Sequence, residues 1–195
     1  MEKRKLGKTG LEVSVLGYGS GVLSDVPVPS AGAGADNAAC RLLNRILDAG
    51  VNYIDTSPDY GNSEEIIGRA ISRRRGEFCL ATKCGCPDRG WGRAHVWTGD
   101  RLMKNIESSL RRLNTGCVDI WQLHNPSPEM VRQGELLEVM EKVRRQGKVR
   151  YVSVSSTLPD IRTYIDWRVF DTFQLPYSAL YRRHEHVIAE AAAAA

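Results

Sequence analysis

Five short apolar runs end on side chains that can hold a proton or a polar ligand. Asn52-Tyr53-Ile54 leads into Asp55, Leu80-Ala81-Thr82 into Lys83, and Trp121-Gln122-Leu123 into His124; later runs lead into Ser155-Ser156 and Gln174. Tyr60 follows Asp55 by five residues. A tyrosine hydroxyl, with a pKa of about 10, is too weak an acid for efficient proton donation at neutral pH. A neighbouring lysine ammonium favours the tyrosinate, and a carboxylate would keep that ammonium charged and oriented. Asp55, Lys83 and Tyr60 are thus candidates for one tuned general acid, with His124 hydrogen-bonding the oxygen of a polarised carbonyl. None of these side chains can supply hydride, whereas a nicotinamide can. Ser155, Ser156 and Gln174 offer donors and acceptors suited to a carboxamide. Taken singly, Asp55 reads as a turn cap, Lys83 as a solvated strand end and His124 as a core histidine; their joint placement carries the chemical reading.

Elements of alternating type must position them. A hairpin is expected first, from Lys5-Leu6-Gly7 through a Lys8-Thr9-Gly10 turn to Leu11-Glu12-Val13. Core strands are expected at 13–19, 51–55, 78–83, 118–124, 149–155 and 170–175. Helices are expected at 37–49, with one apolar face from Ala39 to Leu47, then at 63–74 with Ser63 as cap, 99–113, 133–146 and from about 184 onward, with a short helical piece before residue 170. A Gly/Ala-rich loop, 24–36, separates the first strand from the first helix and reads as mobile. Repeated β-α units with almost continuously apolar strands mark a parallel sheet covered by helices. Either an open doubly wound sheet or a closed β/α barrel would satisfy this. No Gly-x-Gly-x-x-Gly turn follows the first strand, and no P-loop is present, which favours the barrel. In a barrel, the C-terminal strand ends form the active rim.

The 42% hydrophobic and 26% charged fractions are those of a globular protein. A net charge of +4 falls short of a nucleic-acid binder, and the arginine pairs and triplet at 73–75, 111–112, 144–145 and 182–183 read as solvated helix ends. No apolar run could span a bilayer, no signal peptide is evident, and five cysteines give no disulfide framework, so the expected location is cytoplasmic. Cys79 and Cys117 read as small core residues. Cys84-Gly85-Cys86 could be a metal clip or redox pair, but no second cluster at ligand spacing accompanies it, and no metal is expected. Trp91, Trp97, Trp121 and the 85–99 loop are candidates for shaping an apolar pocket.

These residues resemble the aldo-keto reductase family. KRKLGKTGLEVSVLGYGSG is similar to its N-terminal hairpin and first strand, and DAGVNYIDTSPDYGNSEEIIGRAI to its second-strand signature. LATKCG, DIWQLH, GKVRYVSVSS and FQLPYSALYRRHE resemble its next four strands, over residues 3–190. The resemblance implies a (β/α)8 barrel with an N-terminal β-hairpin and NADP(H)-dependent reduction of a small-molecule aldehyde or ketone. It also implies a tetrad of Asp55, Tyr60, Lys83 and His124, with Tyr60 as acid, and cofactor contacts at Gly19, Ser20, Asp55, Ser155, Ser156 and Gln174. The family often carries Gly-Val-Ser-Asn where this chain has Ser153-Val154-Ser155-Ser156. A non-catalytic binding or regulatory relative is the alternative; a lyase or isomerase using Lys83 as a Schiff base is a third reading. The spacing between strands, about 31 residues per unit, places about six β/α units in residues 1–195, so the expectation is a single barrel domain cut short at its C-terminus.

Overall fold

The computed structural model describes residues 1–30, 37–87 and 94–194. Part of the Gly/Ala-rich loop (31–36) and the candidate pocket residue Trp91 lie outside the described residues. Two short strands open the chain, β1 (Lys3–Lys5) and β2 (Glu12–Ser14), paired antiparallel as the expected hairpin. Six further strands follow: β3 (Tyr18–Gly19), β4 (Tyr53–Asp55), β5 (Cys79–Cys84), β6 (Val118–His124), β7 (Val149–Ser155) and β8 (Thr172–Gln174). These six pair in chain order, each parallel to the one before. A doubly wound sheet reverses its order at a switch point. This sheet never reverses, which excludes that arrangement and leaves the α/β barrel pattern, represented by six strands.

The helices are α1 (Ala38–Asp48), α2 (Ser63–Ile71), α3 (Gly99–Leu113), α4 (Pro128–Gln133), α5 (Leu136–Arg145), α6 (Asp160–Trp167) and α7 (Glu185–Ala194). Alternate strand residues point to opposite faces. Ile54, Leu80, Trp121, Leu123 and Val154 join Leu43, Ile66, Ile106 and Met140 of the helices in the main core. On the inner face, Cys79, Ala81 and Ile120 pack with Leu6, Leu11 and Val13 of the hairpin and with Tyr53 and Tyr151. The hairpin therefore plugs the N-terminal end of the sheet, and the C-terminal end is left for polar groups.

Several expectations need correction. The single strand expected at 13–19 is broken between β2 and β3. Ser14 donates its N–H to the Asn52 side-chain oxygen (2.6 Å) and its hydroxyl to the Leu16 carbonyl (2.7 Å), bonds that turn the chain between the two strands. Ser63 is not a cap but the first residue of α2, its hydroxyl turned inward. The helix expected at 133–146 starts at Leu136, because Glu135 takes a left-handed φ of 51°; α4, capped by Ser127, precedes it unforeseen. Arg112 is not a solvated helix end: it pairs at 2.7 Å with buried Glu64, which also accepts the Thr82 hydroxyl. Arg75 likewise bonds Asp119 at 2.6 Å. Gly68 allows this α2–α3 contact, since a Cβ there would lie 2.1 Å from the Arg112 carbonyl oxygen.

Candidate active site

The strand alternation brings Asp55, Lys83 and Gln122 together on the inner face, beyond the hairpin plug. Lys83 is 1% exposed, and its ammonium donates to Asp55 Oδ2 (2.6 Å) and to the Thr56 carbonyl (2.9 Å). Gln122 Nε2 donates to the other carboxylate oxygen, Oδ1, at 2.8 Å. A buried carboxylate held by a cation and a neutral donor is a fixed, charge-satisfied anchor. Behind it runs a chain of hydroxyls. Ser63 donates to Ser20 (2.7 Å), and Ser20 donates to the Asp55 carbonyl (2.8 Å). Thr56 Oγ1 lies 3.0 Å from Ser63 Oγ. This chain pins the turn that follows β4 and presents Tyr60.

The Lys83 ammonium sits 4.8 Å from the centre of the Tyr60 ring. That ring meets the His124 imidazole edge-on, centroids 6.3 Å apart. All four expected catalytic residues are therefore neighbours. Burial first, then the Lys83 and His95 charges, lowers the His124 pKa to about 4, with Asp59 opposing. The imidazole is neutral at neutral pH. Its Nδ1 lies 3.1 Å from Cys86 Sγ and 3.5 Å from Asp59 Oδ2. A thiol donating to Nδ1 selects the tautomer with the proton on Nε2, the form that can donate to a carbonyl oxygen. Burial pushes the Cys86 thiol up to about 12, so it stays protonated.

A cleft of about 520 Å³ opens onto this group, lined by Asp55, Tyr60, His124, Ser155, Ser156 and Gln174 among others. Ser156 is buried, and its hydroxyl has no hydrogen-bond partner among the described residues. Gly19 is exposed at the end of β3, in register with Asp55. Ser20 is fully buried, and its hydroxyl is occupied within the chain of hydroxyls, so it contributes to the site through the backbone it holds.

Other expectations fare differently. Trp121 is wholly buried against the helices, on the face opposite Gln122 and His124, and shapes no pocket on the inner face. Trp97 packs on the core and lies over Gly85, where a Cβ would fall 2.1 Å from the indole; the left-handed φ of +85° also suits glycine. Cys84 and Cys86 are both free. Cys84 donates to the Gln122 carbonyl, whereas Cys86 faces His124, so they do not act as a pair. Gln122, Asp59 and His95 were not singled out as site residues, and Cys86 was weighed only as one half of a Cys84–Cys86 pair. Gln122 had a readable signal, two residues before His124 and therefore on the same face. His95 had none, because a loop brings it in.

The sequence matches the model of the aldo/keto reductase family over residues 15–195. It is 32% identical over 190 residues to the uncharacterised oxidoreductase YqkF of Bacillus subtilis, covering 95% of this chain and 59% of that protein. It is 33% identical over 176 residues to L-galactose dehydrogenase of Arabidopsis thaliana, covering 87% of this chain and 53% of that protein. The fold is similar to that of the aldo-keto reductase AKR11C1 from Bacillus halodurans in its holo form. The TM-score is 0.82 at 31% identity, over 98% of this chain and 64% of that one. The chain thus spans a little over half the length of the curated relatives it matches.

Proposed function

The chain belongs to the aldo/keto reductase family, and on that premise we propose an oxidoreductase that reduces an aldehyde or ketone to an alcohol with NADP(H). The buried Asp55–Lys83 pair beside Tyr60 and His124 is the observation that carries this reading. Asp55 and the Thr56 carbonyl hold the ammonium in place. The ammonium favours the phenolate that Tyr60 becomes when it gives its proton to the substrate oxygen. His124, neutral, donates from Nε2 to the same oxygen and restricts where a carbonyl can lie.

The Ser156 hydroxyl, unpartnered among the described residues, fits a carboxamide together with Ser155 and Gln174 beside it, and Gly19 leaves the backbone open to a ligand. These residues, with Ser20 and Asp55 behind them, would hold the nicotinamide end of the cofactor, which supplies hydride when bound. Serine in place of a longer amide at position 156 reaches less far, and Gln174 can supply the second contact. Among the described residues, no helix is long and apolar enough to cross a membrane. The free cysteines fit a reducing compartment, and we assign the protein to the cytoplasm. Tyr60→Phe removes the proton donor and leaves the ring. Carbonyl reduction should fall by at least about 100-fold with NADPH binding kept; an unchanged rate would overturn the role. NADPH binding with no turnover by the wild type on a broad carbonyl panel would instead favour a non-catalytic binding module.

A further inference from the structure

Four side chains of metal-ligating type converge on one point beside the tetrad. Asp59 follows β4, Cys86 follows β5, His95 lies nine residues further on, and His124 ends β6. Their ligand atoms all lie within 4.8 Å of one another. Three of the separations are short: Asp59 Oδ2 to His95 Nε2 is 2.8 Å, His124 Nδ1 to Cys86 Sγ 3.1 Å, and His124 Nδ1 to Asp59 Oδ2 3.5 Å. The edges of a tetrahedral zinc site with nitrogen, oxygen and sulfur ligands are about 3.3–3.7 Å, from metal–ligand bonds of about 2.0–2.3 Å. The four atoms need move little to reach that shape.

We propose that Asp59, Cys86, His95 and His124 form a binding site for a divalent transition-metal ion of the zinc class. A second observation points the same way. The Asp59 side chain is 9% exposed, and its Oδ1 has no hydrogen-bond partner among the described residues. A buried carboxylate oxygen left in that state is costly unless a cation or donor meets it. The donor set selects the ion. Thiolate and imidazole favour zinc over the hard cations magnesium and calcium, which require oxygen ligands. The charges also close: one thiolate and one carboxylate neutralise a divalent ion, so the filled site carries no net charge in a buried setting. The Cys86 thiol loses its proton to solvent as the Zn–S bond forms, and His124 exchanges its bond to that thiol for one to the metal. No oxidant or reductant is needed. The spacing Asp-x26-Cys-x8-His-x28-His resembles no short metal motif. The proposal concerns these residues alone and stands whether or not the chain reduces carbonyls.

Cobalt(II) added to the reduced, chelator-washed full chain is the direct probe. Binding of one equivalent with near-ultraviolet thiolate-to-cobalt charge-transfer absorption, displaced by zinc, is the expected result. Cys86→Ser should abolish that absorption, and His95→Ala, a rim position less exposed to folding failure, should weaken zinc binding at least tenfold in a competition titration. Absence of the charge-transfer absorption in the wild type would overturn the site. So would its persistence in Cys86→Ser, or undiminished zinc affinity in His95→Ala.

Discussion

Lys83→Met separates a buried anchor from a surface ion pair by the size of its effect. The substitution keeps most of the side-chain volume and removes the ammonium. Asp55 would lose its 2.6 Å partner and keep the neutral Gln122 amide at 2.8 Å. The Thr56 carbonyl would lose its 2.9 Å donor as well. Breaking a buried pair by deleting one partner costs about 3–5 kcal/mol, because a charge remains uncompensated. An exposed pair would cost at most about 1 kcal/mol. For a chain of this length, the buried value corresponds to a fall in melting temperature of about 10 °C. The assay is urea unfolding of wild type, Lys83→Met, Asp55→Asn and the double variant. The double variant should be more stable than the sum of the single losses implies, with a coupling of about 2–3 kcal/mol. A Lys83→Met cost below about 1 kcal/mol, or strictly additive effects, would refute the reasoning.

Other outcomes follow from the same contacts. Gly68→Ala places a methyl 2.1 Å from the Arg112 carbonyl, so urea unfolding should show a loss of at least about 1–3 kcal/mol; no loss would mean that α2 and α3 do not meet as described. His124 stays neutral down to a pKa of about 4, while in the unfolded chain it titrates at about 6.5. The unfolded state therefore binds the extra proton first, and stability falls as pH drops from about 6.5 to about 4, by about 3 kcal/mol in full. In chelator-treated protein His124→Asn should flatten that part of the stability–pH curve; an unaltered slope would contradict it. Native thiol labelling should reach Cys117, the half-buried cysteine, before Cys79 and Cys84, which are buried with thiols pushed up by burial. Mass mapping of the labelled peptides checks the order.

The parts legible in the sequence were those in which local pattern and tertiary packing agree. Helix α3 and strands β6 and β7 fall where apolar periodicity puts them, because each has one buried face or is buried outright. Asp55, Lys83 and His124 were visible as polar ends of apolar strands, and Tyr60 through its fixed distance from Asp55. The break at Val15–Gly17 was hidden, because it depends on Asn52, thirty-eight residues beyond Ser14. Trp121 reads as a pocket residue by type, yet strand parity turns it to the helices while its neighbour Gln122 reaches Asp55. Glu64 and Arg112 each read as surface charge, and only the α2–α3 approach buries them together. Asp59 comes from the loop after β4 and Cys86 and His95 from the loop after β5, while His124 ends β6, so no short motif announces them together.

Under the proposed function, this tetrad reduces a carbonyl carbon. Full chain incubated with an aldehyde panel and NADPH deuterated at the nicotinamide C4 tests it in one measurement, the deuterium content of the alcohol product by mass spectrometry. The account predicts one deuterium at the former carbonyl carbon with wild type and almost no product with Tyr60→Phe. Alcohol formed equally by Tyr60→Phe, or no deuterated alcohol from wild type that binds NADPH, would contradict it.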